Sequence, residues 1–210
     1  MDTKIKAKVK DGASAEDIFQ AILVSRGYKT AKDQQEFLHP PEPTLDYLLK
    51  QSGLTKTVLS KAQKLFDSHL TGGHDGCIFG DYDADGVSAT AIMWQAITAY
   101  AKLSKSSSRI LPFIPDRHKH GYGLGDKAVS EVISGSAFGL GQFKDFSPKL
   151  IITVDTGIVA HAGIKSFRDA GIDVIVTDHH LPAGATPQAL QAGQPEQKLP
   201  SANAIIHTLA

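Results

Sequence analysis

Asp81, Asp83 and Asp85 occupy every second position of "CIFGDYDADGVSATA", residues 77–91, directly after an apolar run. On an extended strand alternate side chains share one face, so three carboxylates would crowd together and repel. A bound cation that neutralises them is the simplest reason for a fold to tolerate this; a solvated Asp-Gly turn is the plainer competing reading. The same placement recurs twice. Asp155 closes the apolar run of "LIITVDTG", and Asp178, His179 and His180 close that of "DVIVTDHH". Carboxylate oxygens combined with imidazole suit Mn²⁺ or Mg²⁺, with zinc admissible. A carboxylate shared between two ions would suit phosphoester hydrolysis.

The elements that must position these groups alternate regularly. "CIFGDY", "RILPFIP", "KLIITVDTG", "DVIVTDHH" and "NAIIHT" read as strands. "DGVSATAIMWQAITAYAKL", "GDKAVSEVIS" and "AHAGIKSFRDAG" read as the helices between them. Strands separated by helices of this length predict βαβ units and a parallel sheet, and continuous apolar runs suit strands covered on both faces. In such a sheet the carboxyl ends of the strands line one crevice, so three strands deliver acids and imidazoles to one rim. Before the sheet, "SAEDIFQAILVSRG" starts with Ser14 as N-cap, "TAKDQQEFL" with Thr30, and "TKTVLSKAQKLFDSHL" is a third helix. The expected fold class is therefore α/β, a parallel β-sheet with helices on both faces, preceded by a small helical N-terminal region. The expected division is a helical lead over 1–70 and a sheet domain over 74–210.

Composition narrows the classes of function. Lys+Arg and Asp+Glu are both 22 in 210 residues, so no global basic field points to nucleic acid and any such contact must be local. Cys77 is the single cysteine, which excludes an internal disulfide and favours a reducing, cytoplasmic setting. No run approaches 18 consecutive apolar residues, so no membrane helix is predicted.

Two rival readings of "DYDADG" fail on spacing and context. An EF-hand loop counted from Asp81 requires Glu at its twelfth position, which is Ile92 here. A phosphatase with an aspartate nucleophile would need a lysine and a later acidic pair at strand ends, where this chain offers "DHH".

"GDYDADGVSATA", "PDRHKHGYGL", "ITVDTG" and "VTDHH", in this order, resemble the DHH phosphoesterase superfamily. "FIPDRHKHGYGL" and the lead "ILVSRGYKTAKDQQEFLHPP" are similar to its RecJ-like branch of single-strand-specific DNA exonucleases. The resemblance covers residues 15–206. It implies that Asp83, Asp85, Asp155 and His179 are metal ligands, with Asp155 bridging two ions. His180 would contact phosphate, Asp81 would stand at the edge of the site, and Asp178 would orient the histidine pair. Arg117 and the "HGYG" loop, His120 to Gly123 with Gly121 and Tyr122 between them, would lie near the nucleic-acid strand: guanidinium grips phosphate bidentately and glycines admit a close backbone. The implied activity is metal-dependent 5′→3′ hydrolysis of single-stranded DNA in repair and recombination, with two Mn²⁺ or Mg²⁺ ions in the complete protein. A single-strand-binding protein or helicase is the implied partner of that complete protein. A DHH phosphodiesterase of short oligonucleotides or cyclic dinucleotides is the alternative enzyme, and a non-catalytic DNA-binding scaffold is the alternative outside enzymes.

The match also has a gap. The resemblance implies a further aspartate and a second domain beyond the His pair, whereas after His180 the only acid before Ala210 is Glu196. The sheet domain is therefore expected to be C-terminally incomplete, weak in metal binding and poor in activity by itself, with the "NAIIHT" edge poorly covered. Other conspicuous residues have plain expectations. Trp94 and Cys77 belong in the core, and His39, His69, His74 and His161 on the surface. The lysines of "KIKAKVK" are solvated, and 104–109 and 135–148 are exposed loops.

Overall fold

The computed structural model describes residues 12–42, 44–52, 54–139, 143, 145–182 and 199–208. The basic stretch before residue 11 and Glu196 lie outside them. Residues 1–45 and 46–210 form two compact units.

The first unit holds α1 (Ala15–Ser25) and α2 (Ala31–Leu38). Both begin with the reciprocal cap that their sequences encode. Ser14 accepts the Asp17 N–H and Thr30 that of Asp33, while each aspartate side chain accepts the N–H of its own cap residue. The Tyr28 and Phe37 rings stack 4.2 Å apart.

The second unit contains α3 (Leu45–Ser52) from its second residue onward, α4 (Lys56–Thr71), α5 (Ala84–Leu103), the short α6 (Arg117–His120), α7 (Asp126–Ile133) and α8 (His161–Asp169). Its sheet consists of β1 (Gly76–Phe79), β2 (Ile110–Phe113), β3 (Leu150–Val154), β4 (Asp173–Asp178) and β5 (Ala204–His207), in the order β2-β1-β3-β4-β5 with every pairing parallel. Side chains alternate between two cores, as the pleat requires. Cys77, Phe79, Ile151, Val174 and Val176 pack with Ala128, Val129 and Val132 of α7 and Ile164 and Phe167 of α8. Ile78, Leu150, Ile152, Val154, Ile175 and Ala204 face Ala62 of α4 and Ile97 of α5. Among the described residues no helix is long and apolar enough to cross a membrane.

Several sequence expectations differ from this arrangement. α4, expected in the lead, packs against β5 and belongs to the unit that starts at Asp46, because Ala62 and Leu70 need the sheet to be buried. α3 is an addition to the expected elements. Trp94 is 36% exposed: α5 overhangs the edge strand β2, and the indole N–H donates to the Ile110 carbonyl at 2.9 Å. His69 is buried at 8% exposure, with Nε2 2.9 Å from Asp173 Oδ2, and His161 is half-buried. The segment 135–148 contributes Phe138 and Phe146 to the core, since their rings pack tilted against each other at 4.6 Å and Phe138 meets Phe113 of β2 edge-on.

Candidate metal centre

β1 lies between β2 and β3, so the chain leaves β1 toward one side of the sheet and returns on the other. The crevice at the carboxyl ends of β1 and β3 is the switch point where such sheets bind ligands. The acidic turn after β1 and Asp155 after β3 flank it.

The acidic turn is braced internally. Asp83 is the N-cap of α5, its Oδ1 accepting the Gly86 N–H at 3.0 Å. A Cβ on Gly80 would stand 1.8 Å from Thr90 Oγ1, and one on Gly86 would stand 2.7 Å from Asp81 Cβ; the glycines let helix and turn meet. Asp81 is buried at 1% exposure, with Oδ1 accepting the Tyr82 N–H at 2.7 Å. Its Oδ2 is buried without a partner. Asp83 and Asp85 are exposed. Hydrogen bonding to Asp83, then to the Asp85 backbone N–H, holds the Asp85 carboxyl below its ordinary pKa, with His179 adding to the pull.

Asp155 has φ 60°, a left-handed conformation that aspartate accepts more readily than most residues. Oδ1 lies 2.7 Å from His179 Nε2, and Oδ2 is buried without a partner. Burial, and next the Asp85 carboxylate, raise the Asp155 pKa against the pull of His179 and His180.

Asp178 organises the turn that it begins. Oδ1 accepts the backbone N–H of His179 at 2.7 Å, that of His180 at 3.0 Å and the His180 Nδ1–H at 2.8 Å, while Oδ2 accepts the Ile158 N–H at 2.8 Å. Burial opposes ionisation of Asp178, but these donors outweigh it and its pKa is lowered. The same bond from Asp178 raises that of His180. With Nδ1 committed to Asp178, His180 presents its Nε2 edge outward.

One ligand atom each of Asp83, Asp85 and Asp155 lie within 4.8 Å of one another, and so do atoms of Asp155, His179 and His180. Asp155 is common to both groups. Beside them lies a cleft of about 270 Å³ lined by Asp85, Asp155, Asp178 and His179 on one side and by Ile206 and Thr208 of the β5 end on the other. Asp81 and Asp178 stand outside both groups. Crowded carboxylates, two buried oxygens without partners and adjacent imidazoles are a donor set that fits hard divalent cations.

The remaining predicted residues form a separate edge. The Arg117 guanidinium lies 5.7 Å from the centre of the Tyr82 ring, and Tyr82 meets Tyr122 edge-on at 5.9 Å. Tyr122 is 65% exposed. Gly121 and Gly123 both have positive φ, and Gly123 approaches Thr156, the residue after Asp155. His120 turns away from this edge. Its side chain is 5% exposed and bonded to Glu131 at 3.1 Å, so it braces the loop. Sequence reasoning reads "NAIIHT" as a strand but does not bring its end to the site, because spacing along the chain carries no sign of which strand flanks β4.

The family model for the DHH family, N-terminal domain, matches residues 76–209. The single-stranded-DNA-specific exonuclease RecJ of Bacillus subtilis (strain 168) is 33% identical over 183 residues, covering 84% of this chain and 20% of that protein. The Escherichia coli (strain K12) RecJ is 32% identical over 172 residues, covering 82% and 26%. A crystal structure of exonuclease RecJ bound to manganese superposes with a TM-score of 0.51 at 29% identity, over 73% of this chain and 31% of the other. RecJ from Thermus thermophilus in complex with Mn²⁺ gives 0.52 at 26%, over 90% and 21%. The chain spans about a fifth to a quarter of the length of these curated relatives. Its four strand-end signatures, its parallel sheet and its family match agree: the chain belongs to the DHH family.

Proposed function

We propose that this chain carries the metal-holding half of the active site of a single-strand-specific 5′→3′ DNA exonuclease of the RecJ type. The observation that supports the reading is that Asp83 and Asp85 gather with Asp155, and His179 and His180 with the same Asp155, at the carboxyl ends of three strands. RecJ relatives and their manganese complexes support the choice of activity and of Mn²⁺, with Mg²⁺ as its substitute.

Asp83, Asp85, Asp155 and His179 would hold the ions, and Asp155, common to both groups, would serve two. Divalent ions bound there would supply activation of water at neutral pH and charge neutralisation at the scissile phosphate. The protein's own groups do the rest. Asp178 fixes the His180 ring so that Nε2 can donate to a phosphate oxygen, and keeps the imidazole protonated to higher pH. Arg117, held over the Tyr82 ring, offers a planar fork for a neighbouring phosphate. Tyr122, exposed at the same edge, offers a face on which a base can stack. Work in DNA repair and recombination, a cytoplasmic location, and cooperation with a single-strand-binding protein or helicase follow from the same reading.

The test uses a longer protein that contains this chain. End-labelled single strands and blunt duplexes are incubated with Mn²⁺, with and without EDTA. Short products from the 5′ end of single strands, lost on chelation, are expected. Equal cutting of duplex, or cutting that survives EDTA, would overturn the proposal.

A further inference from the structure

We infer that the end of β5, through His207, is a positioning element for the Asp178–His179–His180 turn and thereby sets the metal affinity of the site; the inference rests on the metal-binding reading above. Asp178 pairs in register with His207, the last position of the β4–β5 ladder. Beyond it, the Thr208 N–H donates to the Asp178 carbonyl at 3.2 Å. His180 lies past the end of β4, where side chains must satisfy its polar backbone. His207 does this: its Nε2 is 2.6 Å from the His180 carbonyl oxygen. A carbonyl only accepts, so Nε2 carries the proton.

The turn is therefore gripped from two sides. The Asp178 carboxylate takes the N–H groups of His179 and His180, and the β5 end takes the carbonyls of Asp178 and His180. Between those anchors the directions of both imidazoles are fixed. With the His207 bond removed, the peptide that follows His180 can turn, which slackens the far end of the turn whose His179 meets Asp155 at 2.7 Å and whose His180 gathers with the same acid. Groups that orient ligands typically govern metal affinity by about 10- to 100-fold. The same strand end lines the cleft through Ile206 and Thr208, so β5 serves both as a wall of the site and as its brace.

The test is calorimetric Mn²⁺ titration of the full 210-residue chain and its His207→Ala, His207→Gln and Asp155→Ala variants, each with a thermal melt. His207→Ala is expected to weaken Mn²⁺ binding about 10-fold or more. His207→Gln, whose amide can donate to the same carbonyl, should return to within about 3-fold of the unmodified chain, a rescue that generic loosening would not give. Mn²⁺ affinity unchanged in His207→Ala while Asp155→Ala loses it would overturn the role of His207 alone. Affinity unchanged in both would overturn the metal-binding reading and this inference with it. If His207→Ala does not melt cooperatively, the imidazole ¹⁵N spectrum of the unmodified chain decides. His207 protonated on Nε2 and bare on Nδ1, with the Nε2 signal moving on Mg²⁺ addition, is expected; the opposite tautomer, or a signal indifferent to Mg²⁺, would overturn the inference.

Discussion

At the amino end of the sheet, Asp75 and Asp173 are partly buried and fully engaged. Asp75 takes the Arg109 guanidinium through both oxygens and the Ser147 N–H. Asp173 takes His69, Arg168 and the Asn203 amide. At the carboxyl end, Asp81 and Asp155 are more deeply buried, yet each keeps one oxygen without a protein partner, and Asp83, Asp85 and Asp155 crowd one another. One end uses charge to join elements that are distant in the chain. The other leaves its charge unbalanced, which costs folding free energy unless something from solution completes it. A fold can afford such an end only where a ligand is meant to arrive.

Substitutions at the two ends should separate accordingly. The largest effect is expected at Asp155. Asp155→Ala should lower Mn²⁺ affinity, and the exonuclease rate of a longer protein, by at least ~100-fold, the scale of one strong electrostatic contact, read by titration and by end-labelled substrate. A variant with undiminished affinity would remove the distinction between the two ends. Asp173→Ala should act in the opposite register, destabilising the chain by about 2 kcal/mol because His69, Arg168 and Asn203 lose their acceptor. Its Mn²⁺ affinity should not change; denaturant unfolding with and without Mn²⁺ measures both.

The pH dependence should also run in opposite directions. Asp173 is buried against ionisation, but His69, Arg168 and Asn203 lower its pKa below the unfolded value. The stability it contributes is complete above the ordinary carboxylate range near pH 4 and disappears as pH falls through the lower folded value. The advantage of the unmodified chain over Asp173→Asn should therefore shrink in acid. The Asp155 pKa is raised by burial and by Asp85, so its contribution is favourable in acid and is lost as pH rises through the folded value. In EDTA at pH 7, Asp155→Asn should therefore be more stable than the unmodified chain, and that gain should shrink as pH falls toward the ordinary carboxylate range. Calorimetric melts across this range would show whether the slopes oppose each other. The smallest effect sets the baseline. Lys165→Ala, which removes an exposed pair with Asp169, should change stability by less than about 0.5 kcal/mol.

The carboxyl end was the more legible one in the sequence. Its residues follow directly on apolar runs, and a parallel sheet places such positions on one rim whatever the details of packing. The caps of α1 and α2 were legible for a similar reason, since each is complete within three residues. What sequence reasoning missed depends on contacts across long separations. His69 meets Asp173 104 positions away, and His207 reaches back 27 positions to His180. The apolar character of its helix points Trp94 inward, whereas its exposure follows from β2 being an edge strand. The heavily punctuated stretch before α3 hid a helix whose Leu45, Leu48 and Leu49 carry a helical spacing.

The two glycines of the acidic turn have an evolutionary consequence. Gly80 is the space that Thr90 fills, and Gly86 is the space that Asp81 fills. The pair 81/86 is nested inside the pair 80/90, within the one turn that leads into α5. A lineage that gains a side chain at 80 must shrink residue 90 in compensation or shift the start of α5, and with it the Asp83 cap. The stretch from 80 to 90 should therefore be inherited as one block, with 80 covarying with 90 and 81 with 86, even among descendants that have lost the chemistry.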